Sequence, residues 1–116
     1  MDKIIQIDGK DVKFRATART PRLYRALIGR DMIRDIAQLR EAFKKSEDNE
    51  EALTAVDLEI FENIAFIMAK HADPEMASSP DEWLDGFNMF SIYQVLPELL
   101  QLWSLNEKQT STPKKK

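Results

Sequence analysis

The sequence predicts a mainly α fold: an N-terminal β-hairpin, then four or five helices in a small bundle, then a disordered C-terminal tail. Three observations carry this. Apolar residues alternate over residues 3–16 and then recur at helical spacing from Leu23 onward. Thr20-Pro21 and Ser79-Pro80 place a capping side chain and a proline where helices begin. Glycine is scarce, with three in 116 residues, which leaves little room for elaborate loops. Residues 1–105 read as one domain, and 106–116 as the tail, which is polar and without periodicity.

In the hairpin, Ile5 and Ile7 share one face of a strand, and Val12 and Phe14 one face of the next. A two-residue Asp8-Gly9 turn sets Ile5 opposite Val12, so all four lie on the same side. A lone hairpin is unstable in water, so that side must pack on helices. The first helical stretch covers about 21–45. Thr20 is its expected N-cap, Leu23, Tyr24 and Leu27 its apolar side, Gly29 its end or bend, and Asp31 the cap of a second piece. From there Met32, Ile33, Ile36, Leu39 and Phe43 form a stripe, while Arg34, Asp35, Gln38 and Glu41 point outward.

Residues 46–53 read as a solvated connection. Thr54 with Asp57 resembles a capping box for a helix over 55–71. Ile60, Ile64, Ile67 and Met68 are its main stripe, with Val56 and Phe61 flanking. Glu59, Glu62, Asn63 and Lys70 face the other way, and Phe66 lies among them, so a later segment or a partner must cover it. Ala72-Asp73-Pro74 stops this helix. Ser79 restarts the chain for a helix over 80–87, burying Trp83, Leu84 and Phe87, with Glu82 able to close a box. Ser91 caps a last helix, 91–104. Its residues Ile92, Val95, Leu96, Leu99, Leu100, Leu102 and Trp103 span about half its circumference, wider than the roughly 100° a surface helix needs, and Pro97 should kink it.

Charge is divided along the chain. Residues 1–45 carry twelve lysines and arginines against six acids, a net of +6; residues 46–107 carry Lys70 alone against fourteen acids, a net of −13. A small protein so polarised is built to bind a copy of itself or a partner. The pI of about 5.2 argues against a dedicated nucleic-acid binder. There is no cysteine, so disulfides and thiolate metal sites are excluded and a reducing cytoplasm is the expected setting. No apolar run approaches the ~18 residues of a membrane span, and the N-terminus lacks a signal-peptide pattern.

Catalytic signals are missing. His71, the only histidine, reads as a capping or packing residue at a helix C-terminus, where the dipole favours its protonated form. Glu59 and Glu62 form a solvated pair, the glycines are isolated, and one histidine makes no zinc site. We therefore expect no enzyme activity, cofactor or metal. Arg19, Arg22, Arg25 and Arg30, with Arg15, suit carboxylates through bidentate pairing, in the acidic helices of the same molecule or of a neighbour, better than phosphates. Tyr24, Phe66, Trp83, Tyr93 and Trp103 join these arginines as partner-binding candidates, because Trp, Tyr and Arg dominate interface hot spots. Core packing is the alternative for the aromatics.

The segments Phe14-Arg-Ala-Thr-Ala-Arg-Thr-Pro-Arg-Leu-Tyr-Arg25, Gly29-Arg-Asp31, Asp57 to Pro74 and Asp81 to Tyr93 resemble a family of tail assembly chaperones. These are encoded by tailed phages and prophages with long non-contractile tails, chiefly of Gram-positive bacteria. The resemblance implies a non-enzymatic protein of the host cytoplasm that binds the helical tape-measure protein, helps recruit tail-tube subunits and is absent from the virion. Self-association is expected alongside. It also implies a longer form made by programmed frameshifting, for which the codons of Pro113 to Lys116 are a candidate site. The alternative is a small phage or bacterial regulator that uses its Arg15–Arg30 surface on nucleic acid; a structural tail component is a third reading.

Overall fold

Asp8 and Gly9 both adopt positive φ, 56° and 76°, the backbone that a two-residue hairpin turn of matching twist requires. The turn sets the register of β1 (Asp2–Ile7) and β2 (Lys10–Arg15), with Ile5 opposite Val12 as expected. The computed structural model describes residues 2–46, 54–99 and 101. Beyond the hairpin come α1 (Thr20–Ile28), α2 (Met32–Ser46), α3 (Ala55–Ala72), the short α4 (Pro80–Leu84) and a 3-10 helix, Ser91–Val95. The mainly helical architecture behind an N-terminal hairpin therefore stands. The connection 47–53, Leu100, Leu102, Trp103 and the tail 106–116 lie outside the described residues.

The stretch 21–45 is two helices. Gly29 closes α1 in the left-handed region at φ 83°, its N–H bonding the Arg25 carbonyl, and Asp31 accepts the Ile33 and Arg34 N–H groups at the start of α2. Thr20 is not the N-cap. That position falls to Arg19, which makes no side-chain cap, and the Thr20 hydroxyl turns back to accept the Thr17 N–H at 2.8 Å. Thr17 in turn accepts the Arg19 N–H, so the two threonines bind the β2–α1 corner.

The largest departure concerns α3. It was expected to show one apolar stripe and one polar face, yet every residue from Ile64 to Ala69 is buried. A helix buried all round is a core element. The hairpin packs on it through β2, and α1, α2 and α4 occupy its other sides. The Thr54/Asp57 capping box at its start forms in full. At its end Lys70 folds back so that Nζ donates to the carbonyls of Pro74, Met76 and Ala77, tying down the chain beyond the helix.

Other positions are corrected by the same packing. Ile33 stands 63% exposed, and Val56 is exposed too. Asp35, expected on the outside, is buried, because its spacing from Met32 and Leu39 places it on the inward stripe of α2. The helix from Ser79 ends at Leu84, short of Phe87; Ser79 caps it by accepting the Glu82 N–H, but the Glu82 carboxylate bonds Ser78. Ser91 is no cap, since its hydroxyl donates to Asp8 across the hairpin turn. The 3-10 helix gives way at Leu96 to helical residues 96–99. Pro97 therefore stands in the first turn of that run, where its missing N–H breaks no helical bond.

Phe66→Ala removes a ring inside this coat, whereas Ile33→Ala trims an aliphatic side chain in water. Urea unfolding followed by circular dichroism should show a loss of about 3 kcal/mol or more for Phe66→Ala, and a change within about 0.5 kcal/mol for Ile33→Ala.

Candidate interaction surface

At three-residue spacing, Arg19, Arg22 and Arg25 fan over one side of α1. All three are exposed, and none makes a side-chain hydrogen bond or ion pair among the described residues. Leu27 follows on the same helix at 50% exposure. The other two arginines of the run are engaged within the basic half itself. Arg15 bonds Asp2 with two nitrogens, and its guanidinium holds that carboxyl below the usual range. Arg30 grips Asp35 through Nε and Nη2, each 2.8 Å from a carboxylate oxygen. Their partners are thus short-range acids, not the acidic helices that the charge division suggested.

Tyr24 is not a surface anchor. Its ring is fully buried and its hydroxyl donates to Asp35 Oδ2 at 2.7 Å, so Tyr24, Asp35 and Arg30 form one network pinning α1 to α2. Burial, reinforced by the Asp35 carboxylate, raises the Tyr24 hydroxyl far above its ordinary pKa. The Arg30 guanidinium, helped by that hydroxyl, holds Asp35 below the carboxylate range despite burial, and Asp35 in turn raises Arg30. A buried carboxylate with three donors has its desolvation offset.

The aromatic candidates sit inside. Phe66 is 1% exposed, covered by Trp83 at a ring separation of 6.1 Å; the later segment, not a partner, covers it. Trp83 also meets Phe14 edge-on at 6.4 Å and Phe87 at 5.1 Å, closing the hairpin, α3 and α4 around one cluster. Tyr93 is half-buried against Phe61 and donates to Glu62, whose carboxylate pushes its hydroxyl up to about 12. Trp103 lies outside the described residues. Of the eight candidates among the described residues, only Arg19, Arg22 and Arg25 are both exposed and without a side-chain hydrogen bond or ion pair there.

Among the described residues, the two most exposed large apolar side chains belong to residues without a role in the sequence reading: Met89 at 76% and Phe90 at 69%. Their segment is fastened to the hairpin turn. Asp8 accepts the Asn88 backbone N–H at 2.7 Å, the Asn88 side-chain amide at 3.2 Å and the Ser91 hydroxyl. Lys10 donates to the Gly86 carbonyl and lies 5.9 Å over the Phe87 ring. These donors hold Asp8 below the usual carboxylate range, the Ser91 hydroxyl foremost. The signal was two bulky apolar residues in a break between helices, where no helical register can turn them inward.

His71 is buried, and its Nδ1 lies 3.2 Å from the Thr20 hydroxyl. Burial, with the charges of Arg19 and Arg15, lowers its pKa, overriding the helix dipole that was expected to favour protonation. It packs the α3–α1 corner as a neutral ring. Among the described residues no three His, Cys, Asp or Glu side chains are grouped to hold a metal, and no helix is long and apolar enough to cross a membrane. Neither a family model, nor a curated protein, nor a solved structure matches the chain.

Tyr24→Phe leaves Asp35 with Arg30 but removes a buried hydrogen bond, and chemical denaturation should register a loss of about 1 kcal/mol. The His71 pKa is depressed on folding, so as pH falls below the ordinary value of about 6.5 the unfolded chain binds a proton first and stability declines. Unfolding midpoints measured from pH 7.5 to 5.5 should fall for the native protein and flatten in His71→Gln.

Proposed function

We propose that this chain is a non-enzymatic tail assembly chaperone of a long-tailed phage or prophage. It binds the tape-measure protein in the host cytoplasm, helps bring tail-tube subunits to it, associates with its own copies and is absent from the finished virion. The observation that carries this reading is the row Arg19, Arg22 and Arg25, exposed and without a side-chain hydrogen bond or ion pair among the described residues. The resemblance of the segments from Phe14 to Tyr93 supplies the class of partner.

Mechanistically the row suits a long helical client. Successive arginines rise about 4.5 Å along α1, within reach of carboxylates one turn apart on a facing helix. Planar guanidinium forks bind such carboxylates in a set orientation. The Tyr24–Asp35–Arg30 network holds α1 in place beneath them, so the row need not be ordered when the client arrives. Contacts of this kind are screened by salt, which favours a reversible hold over permanent incorporation.

The exposed row also favours a second reading, a nucleic-acid-binding regulator; the acidic half of the chain counts against it. Retention of one DNA or RNA sequence at physiological salt would support it, whereas attraction lost by moderate salt would not.

Co-expression with the tape-measure gene tests the first reading. The tape-measure protein should move from pellet to supernatant when this protein is present, and the gain should shrink several-fold with Arg19→Glu/Arg22→Glu/Arg25→Glu. Equal insolubility with and without the native protein would refute it.

A further inference from the structure

Residues three apart on a helix form ridges inclined about 45° to its axis, with a groove on either side. Arg19, Arg22 and Arg25 make one such ridge, and α1 itself holds no acidic residue to neutralise it. One residue further along lies the parallel row Thr20, Leu23, Ala26 and Gly29. Thr20 is buried and Leu23 half-buried, but Ala26 and Gly29 are exposed. The groove beside Arg22 and Arg25 is therefore floored by a methyl group and bare backbone. A side chain placed at Gly29 would meet nothing within 4 Å, so the groove opens to water at that end.

Such a groove decides how a partner can lie. Long side chains on its floor would hold a facing helix away, whereas alanine and glycine let the axes close to about 8 Å, the near end of the packing range. A helix whose ridge follows every fourth residue, inclined about 26° the other way, enters this groove with the axes only about 20° apart. The two helices then run nearly alongside, and the arginine ridge faces the partner's adjoining row. Charge decides what that row carries: guanidinium forks without a partner among the described residues demand carboxylates. We infer that α1 takes an acidic helix with carboxylates at every fourth residue, seated in the groove at Ala26 and Gly29. This rests on the client reading above, and adds which client sequence fits and which uncharged residues of this chain it touches.

Seating differs from attraction. A cationic patch draws any anion, in proportion to charge and less as salt rises. A seated helix also needs room, so filling the groove weakens it with every arginine still in place. The groove does not have to form on arrival, because the Tyr24–Asp35–Arg30 network already fixes α1 against α2. Ala26 thus contributes by being short: it carries no charge and makes no bond, yet it sets the distance at which the arginines meet their carboxylates.

The test measures binding of labelled alanine-rich peptides to the full chain by fluorescence anisotropy at physiological salt. One peptide carries glutamate at every fourth residue. Its isomer, of the same composition and net charge, carries glutamate at every fifth, which spreads the acids around the helix; circular dichroism matches the two for helicity. The native protein should bind the first at least fivefold more tightly than the isomer. Ala26→Trp should weaken that binding at least fivefold, whereas Ala26→Ser should leave it within twofold; Ala26→Gln replaces the tryptophan variant if its circular dichroism departs from native. Arg22→Gln/Arg25→Gln should lose both peptides. Equal affinity for the two isomers, native affinity in Ala26→Trp, or tighter binding of an oligonucleotide of equal charge would each overturn the inference. Tape-measure solubilisation is scored separately. Rescue at the native level by Ala26→Trp would overturn the seating and leave the chaperone reading in place. A native protein that separates the two peptides but leaves the tape-measure protein insoluble would keep the seating and fail the chaperone reading.

Discussion

Six consecutive residues of α3, Ile64 to Ala69, are shielded from water on every side, and everything else in the fold follows from coating them. An isolated helix of that composition would expose apolar surface all round, so its stability comes from the elements laid against it. The hairpin contributes Ile5, Ile7 and Phe14; α1 contributes Tyr24; α2 contributes Met32 and Leu39; α4 contributes Trp83. Each is a short piece with one apolar side, and none has enough of its own to persist alone.

Coating a central helix disposes of the apolar side chains and leaves the charges outside. Asp35 is the informative exception, because the inward stripe of α2 passes through it. The fold satisfies it with Tyr24 and Arg30 and thereby joins α1 to α2 by a polar bond inside an otherwise greasy seam. Arg30 is consumed in that role and Arg15 in fastening the hairpin. What remains on α1 is a cationic surface that makes no ion pair among the described residues.

Asp8 performs a comparable service at the other end. A residue whose first task is to adopt a left-handed turn also collects three donors from the segment eighty residues later, and in doing so fixes Met89 and Phe90 in water. Folding is completed by that lock, yet it leaves two large apolar side chains without cover. Both unexplained surfaces, the cationic and the apolar, are thus rigid consequences of hydrogen bonds made elsewhere.

Local physical chemistry written in the sequence determined much of this. Asp8-Gly9 dictated the turn and register, Gly29 and Asp31 the break between α1 and α2, and Thr54 with Asp57 a complete capping box, because each acts within four residues. The fan of Arg19, Arg22 and Arg25 was equally legible, since helical spacing alone sets it. Only the tertiary structure decided which faces meet. It took Tyr24, Phe66, Trp83 and much of Tyr93 inside, turned Asp35 inward and Ile33 outward, sent Ser91 to Asp8, and kept His71 neutral. Periodicity tells which residues of a helix lie side by side but not how many neighbours that helix will have. A stripe reading assumes one apolar face and one wet one; α3 has no wet face through its middle, and that depends on segments as distant in the chain as the N-terminal hairpin.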